Sequence, residues 1–126
     1  MSTVRRFPPH LLAAMHDGRM LRIRAGTQLH RFIGIWMVVV ERRVFVRSWT
    51  LKPRSWYRTF LKEPVGAIQV DGKKVRVRAI HTRSERLRSA VDRAYLAKYN
   101  TPGSIEYARG LARADRRDTT TELAPL

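Results

Sequence analysis

The stretch Arg31–Leu61, RFIGIWMVVVERRVFVRSWTLKPRSWYRTFL, decides the fold. Leu29 to Val40 reads as a strand bent near Gly34, because a glycine inside a strand often marks a bulge. Its second part, Ile35 to Val40, does not alternate, which predicts a central strand covered on both faces. Glu41-Arg42-Arg43 is a short hairpin loop without the usual Asn-Gly signal. Val44 to Trp49 is the returning strand, Thr50 to Arg54 a basic loop, and Ser55 the N-cap of a helix that runs to Lys62 and stops at Pro64. All three tryptophans, Trp36, Trp49 and Trp56, fall in this stretch, with Trp36 expected in the core.

Toward the N-terminus, Leu21, Ile23 and Ala25 alternate with Arg22 and Arg24, the pattern of a half-exposed strand. Before it, Pro8-Pro9 opens a short helix with Leu11, Leu12 and Met15 on one side, ended by Asp17-Gly18. Residues 1–7 read as a flexible basic arm. Toward the C-terminus, Gly66 to Val70 and Lys74 to Ile80 flank Asp71-Gly72, a strong hairpin signal. Thr82-x-x-Glu85 has the form of a capping box and opens a helix to Tyr99. Ser104 is the expected cap of another helix, with Ile105, Ala108, Leu111 and Ala112 as its apolar stripe. Ala114 to Asp118 reads as polar linker and Thr119 to Leu123 as a last strand. One domain spanning residues 1–126 is expected, mainly β with peripheral helices (α+β). This order of elements builds an antiparallel barrel more readily than a doubly wound sheet.

The charge is lopsided: 26 Lys and Arg stand against 10 Asp and Glu, a net of +16. Such a field draws phosphorylated ligands, nucleic acid and acidic lipid alike. Arg22, Arg24, Arg76 and Arg78 form rows on outward strand faces, a surface able to follow a phosphate backbone. No helix-turn-helix, zinc-finger or RNA-recognition signature accompanies them, so any nucleic-acid binding is expected to be non-specific. The absence of cysteine excludes disulfides and thiolate chemistry. No apolar run has the length of a transmembrane segment, and with no leader-like segment a cytoplasmic location is expected. The four histidines are scattered without metal-ligand spacing, so no metal is expected.

Two groups of residues carry candidate chemistry. Arg47, Ser48, Lys52 and Arg54 surround a strand end and the start of the following helix, where unpaired N–H groups and cations can seat a phosphate. Trp49, Trp56 and Tyr57 can stack on a planar ring; the plain alternatives are a solvated basic loop and aromatic anchors for the helix. Tyr95, Lys98 and Tyr99 share a helical face. Their Y-x-x-K spacing is not that of short-chain dehydrogenases, and a packing role with Lys98 reaching solvent is expected. No residue is nominated as catalytic.

Val46-Arg47-Ser48-Trp49 followed by Trp56-Tyr57-x-x-x-Leu61-x-x-Pro64 is similar to the deazaflavin-dependent nitroreductase-like proteins. These belong with the pyridoxamine-phosphate-oxidase-like split β-barrels. The whole chain, through Asp92-Arg93-Ala94-Tyr95-Leu96-Ala97-Lys98-Tyr99 and Thr119-Thr120-Thr121, resembles a small uncharacterised relative of that group. The resemblance implies an antiparallel split β-barrel, a homodimer, and FMN or a deazaflavin coenzyme as cofactor, with oxidoreductase chemistry. Arg47, Ser48, Lys52 and Arg54 would hold phosphate while Trp49 and Trp56 line the ring pocket. Where cofactor-binding relatives carry a Gly-rich basic segment, this chain has Thr27-Gln28-Leu29-His30-Arg31. Two other readings stay open: a non-enzymatic binder of an anionic polymer or protein partner, and a barrel that has lost its cofactor.

Overall fold

The computed structural model describes residues 5–126. In chain order the elements are α1 (Pro9–Asp17), β1 (Leu21–Ala25), β2 (Ile33–Ile35), β3 (Met37–Val40), β4 (Arg43–Val46), α2 (Trp56–Lys62), β5 (Val65–Val70), β6 (Lys73–His81), α3 (Glu85–Lys98), α4 (Ile105–Leu111), α5 (Ala114–Arg117) and β7 (Thr121–Pro125). The strands form one sheet in the order β2-β1-β5-β6-β7-β4-β3, every pairing antiparallel. The two outermost strands, β2 and β3, are separated in sequence by Trp36 alone. The chain therefore bridges its own sheet edges, and the sheet curls into a nearly closed antiparallel barrel with peripheral helices.

Alternation puts one set of side chains inside. Leu21, Ile23, Met37, Val44, Val46, Ile68, Val77 and Leu123 fill the barrel, with Leu11 and Met15 of α1 and Trp56 and Phe60 of α2 completing the same core. The opposite face of β3 and β4 is also apolar. Val38 and Phe45 pack there beneath Leu87, Val91 and Tyr95 of α3 and Leu111 of α4. Full burial of a side chain such as Phe45 is worth about 1.5–3 kcal/mol.

Asp71-Gly72 makes the expected turn, both residues at positive φ (52° and 72°). Glu41 and Arg42 do the same without any glycine, at φ 54° and 60°. The Val40–Arg43 register therefore defines a two-residue hairpin loop of the twist-compatible kind. Ser55 caps α2 as expected, accepting the Arg58 N–H.

Several expectations are corrected. The strand expected from Leu29 begins only at Ile33, and it breaks at Trp36 instead of bending at Gly34. Its second half is an edge strand, not a central one. The run lacks alternation because Met37 points into the barrel and Val38 under α3, so both faces are covered. Ser84, not Thr82, caps α3 by accepting the Leu87 N–H. Ser104 makes no cap; its hydroxyl instead meets Arg19 and Thr101. The expected linker contains α5, and the last strand begins two residues late because Thr119 and Thr120 turn their hydroxyls onto the Arg116 and Arg117 carbonyls. Of the expected basic arm, residues 1–4 lie outside the described residues. Arg5 reaches the Leu126 carbonyl, Arg6 pairs with Glu122, and Phe7 is buried.

Candidate functional site

A cleft of about 500 Å³ opens where the barrel's two edges meet. Its walls are aromatic: Trp36 at the strand break, Trp49 just after β4, Trp56 at the start of α2 and Tyr107 on α4. Met20, Ile33 and Leu111 add aliphatic surface, while Arg47 and Ser48 lie at its back. Each aromatic is fixed by its neighbours. Trp36 stacks flat on Tyr99, ring centroids 4.0 Å apart and planes 1° from parallel. Tyr107 stands edge-on to Trp36 and to Trp49. The Arg116 guanidinium lies 4.2 Å from the Trp49 ring centroid and donates from Nε to the Trp49 carbonyl. Trp49 and Tyr107 nevertheless remain 46% and 55% exposed. An open patch of this apolar character is a usual sign of a binding surface.

The expected anion residues divide. Arg47 is drawn wholly inward, its side chain 0% exposed. Nε donates to Thr120 Oγ1, Nη1 to Asp92 Oδ1 and the Leu111 carbonyl, and Nη2 to the Arg88 carbonyl. Burial pulls its pKa below the usual guanidinium value, against the opposing pull of Asp92. Arg47 thus ties β4 to α3, α4 and β7, with all three guanidinium nitrogens engaged inside the protein. Ser48 is similarly occupied: its hydroxyl donates to the Thr50 carbonyl and its N–H to Thr119 Oγ1.

Lys52 and Arg54 stay exposed, outside the cleft and in two different hollows beside it. Lys52 borders a shallow hollow of about 530 Å³ with Trp49 and Arg116. Arg54 borders another of about 570 Å³ with His30, Arg31, Trp56 and Glu63. Trp56 and Ile33 line both this hollow and the aromatic cleft, so the two adjoin across a shared wall. Tyr57 does not line the cleft; its hydroxyl meets His81 Nε2 at 3.2 Å and helps hold α2 to the barrel.

Sequence reasoning missed Tyr107 and the part Trp36 plays in the wall, and met Arg31 only as the one strong cation of the Thr27–Arg31 segment. Trp36 is half-buried, not a core residue as expected. Tyr107 was signalled by being an aromatic off the apolar stripe of α4. The part Trp36 plays depends on the long-range closure of the barrel and had no local signal.

The Asp92 to Tyr99 motif works as a clasp. Asp92 takes Arg47 with one carboxylate oxygen and Arg117 with the other. Tyr95 donates to the Trp36 carbonyl and accepts the Arg47 N–H. Tyr99 accepts the Met37 N–H and aims its own hydroxyl at the carbonyls of Met37 and Arg19. Lys98 was expected to reach solvent; instead Nζ donates to the carbonyls of Met15 and Met37. Burial pushes its pKa down to about 8 and that of Tyr99 up to about 12. These groups satisfy the backbone that the strand break strands without partners. The Thr-rich segment acts likewise through the contacts of Thr119 and Thr120, while buried Glu122 in β7 holds Arg43 bidentately.

The fold and cleft define a small antiparallel barrel closed by its own chain, clasped by one long helix, with an aromatic cleft at the seam. Residues 12–123 match the family described as "Uncharacterized protein conserved in bacteria (DUF2255)", and the chain belongs to that family. No curated protein matches it. Among solved structures it is similar to the crystal structure of the conserved hypothetical protein Rv2991 from Mycobacterium tuberculosis. That likeness has a TM-score of 0.57 at 8% identity, covering 100% of this chain and 83% of that one, and it concerns the fold alone. Among the described residues, no helix is long and apolar enough to cross a membrane.

Proposed function

We propose that this protein binds a flat conjugated-ring ligand with an anionic tail, of the FMN or deazaflavin class. The observation that carries the reading is the cleft of about 500 Å³ walled by Trp36, Trp49, Trp56 and Tyr107, within the size range of small-molecule sites. Its walls offer π-faces and aliphatic surface, and at its back the Arg47 guanidinium is buried and engaged with Thr120, Asp92, Leu111 and Arg88. That chemistry fits a ring. It moves the phosphate seat away from Arg47, over the shared Trp56 wall, to the exposed cations Arg54 and Arg31. Lys52, beyond Trp49, serves a tail that leaves by the other hollow. A bound flavin-type group supplies electron and hydride transfer. The chain's own part is to stack the ring, orient it by the tail and exclude water from its buried face.

The test is titration with FMN, riboflavin and a deazaflavin, following tryptophan quenching and visible absorbance. FMN and the deazaflavin should bind saturably, and Trp49→Ala should weaken both roughly tenfold, about 1.4 kcal/mol. Arg54→Ala should weaken FMN and leave riboflavin unchanged, since only FMN carries the phosphate. If none of the three gives a saturable change, the reading fails and the cleft belongs to a barrel without such a cofactor.

A further inference from the structure

A second surface lies apart from the cleft, on the outer face of β1, β5 and β6. Register places residues that share this face directly opposite one another. Arg22 stands opposite Gln69, and Gln69 opposite Lys74; Arg24 stands opposite Ala67, and Ala67 opposite Arg76. A furrow therefore runs along β5. Its floor is Val65, Ala67, whose methyl is covered by its neighbours (5% exposed), and exposed Gln69; its banks are Arg22 and Arg24 on one side and Lys74, Arg76 and Arg78 on the other. Arg22, Gln69, Lys74 and Arg76 are exposed, and Arg24 is half-buried against Phe32, 4.6 Å from the ring centroid. The helices that contact β1 and β5 pack their apolar residues into the barrel core, not onto this face. The acid at the furrow's end is Asp71, exposed in the β5–β6 turn, while Glu122 of the next strand, β7, is buried and paired with Arg43 and Arg6.

We infer that this furrow is a binding surface for the backbone of single-stranded nucleic acid. The two banks are two strand spacings apart, about 10 Å, and the floor from Val65 to Gln69 runs about 13 Å. Phosphates rise at least about 3.4 Å each along a strand, so the furrow takes roughly two to four of them. Arginine forks match phosphate oxygens from either bank, and the Gln69 amide supplies a neutral donor between them. A lipid surface is the poorer fit. Interfacial binding needs protruding aromatic or leucine side chains, and the exposed large hydrophobics among the described residues lie at the cleft, in loops and on α2 and α3 (Leu61 and Leu96), with Leu126 alone at the furrow's rim. The contacts are with phosphates, which carry no sequence information, so binding is expected to be indifferent to sequence.

The experiment is fluorescence anisotropy with a labelled mixed-sequence DNA strand of about 12 nucleotides, titrated with the full chain between about 50 and 200 mM salt. Saturable binding is expected, with a slope of log affinity on log salt of about −1.5 to −3. Gln69→Glu sets a carboxylate between Arg22 and Lys74 while lowering the net charge by one. It should cut affinity at least fivefold. Arg93→Gln, which lowers the net charge equally on exposed α3 surface, should change it less than twofold. Both variants are checked by urea midpoint. If Gln69→Glu fails to fold, the exposed pair Arg22→Gln with Lys74→Gln takes its place, with Arg83→Gln and Arg93→Gln as control. Equal losses in furrow and control variants would mean a response to total charge and overturn the inference, as would no binding at the lowest salt. Tighter binding to anionic phosphatidylserine vesicles than to the oligonucleotide, with the same sensitivity to Gln69→Glu, would assign the furrow to lipid and overturn it too.

Discussion

Arg47 Nη1 lies 2.5 Å from Asp92 Oδ1, while the other oxygen of the same carboxylate receives Arg117 Nε at 2.9 Å. One acid on α3 thereby holds the end of β4 and the helix before β7. Removing one partner of a buried, hydrogen-bonded pair costs about 3–5 kcal/mol because the other is left uncompensated. Arg47→Ala and Asp92→Asn should each lower urea stability by roughly that amount with an unchanged m-value. Arg47→Lys should be nearly as costly, since an ammonium cannot reach Thr120, Asp92, Leu111 and Arg88 from one planar fork. A wild-type urea midpoint for Arg47→Ala would refute the structural role and return Arg47 to the list of free cations.

Tyr95 joins the carbonyl of Trp36 at 3.0 Å to the N–H of Arg47 at 3.1 Å through one hydroxyl. Tyr95→Phe keeps the ring and the packing but orphans both backbone groups. Each unsatisfied buried group costs about 1–3 kcal/mol, so a loss of roughly 2–3 kcal/mol is expected after local relaxation. The same variant should speed hydrogen exchange at the Arg47 amide well beyond that at the Val44 amide, within β4. Equal acceleration at both would point to global destabilisation without a local clasp.

The local parts of the fold were legible because their signals are local. Asp71-Gly72, the Ser55 cap and the β1 and β6 alternations each rest on a few neighbouring residues. The seam was not. Trp36 can end a strand because Tyr95 donates to its carbonyl and Tyr99 accepts the Met37 N–H, both some sixty positions away. Read alone, Ile35 to Val40 has the composition of one buried strand. Arg47 was misleading for a related reason: a basic residue after a strand looks like a ligand group until its carboxylate partner, 45 positions on, is in place. The cleft's aromatic content was legible, but its assembly from β2, β4, α2 and α4 was not.

Lys98 gives the protein a pH signature. Burial lowers its folded pKa to about 8, against an ordinary value of 10.5, with Arg19 adding to the shift and Asp17 opposing it. The unfolded chain therefore binds the proton more strongly over that interval, so stability should rise as pH increases from about 8 toward 10.5. Tyr95 and Tyr99 act in the opposite sense. Burial raises both pKa values above the ordinary 10.0, so the unfolded chain ionises first and stability should fall above about pH 10. A maximum between the two limits is expected in urea midpoints measured from pH 7 to 11. Lys98→Met should flatten the rising limb and leave the falling one, and a rising limb unchanged in that variant would exclude Lys98 as its source.

Gly110 on α4 backs the ring of Trp49 so closely that an added Cβ would meet Cζ3 at 2.6 Å and Cη2 at 2.7 Å. The indole must then shift, and its freedom is limited by the Arg116 guanidinium and by Tyr107. Gly110→Ala keeps every side chain of the cleft and changes only where Trp49 lies. Gly110 is next to last in α4, so the helix-propensity gain is at most about 1 kcal/mol and is offset by the cost of moving the indole. Stability and ligand binding should therefore separate. The urea midpoint should stay near wild type, the tryptophan emission should shift, and flavin-type ligands should bind roughly tenfold more weakly, a change of about 1.4 kcal/mol. A general loss of fold would weaken both properties together. Unchanged binding with a shifted emission would show that the ligand does not rest on Trp49, leaving Trp36, Trp56 and Tyr107 as the ring wall.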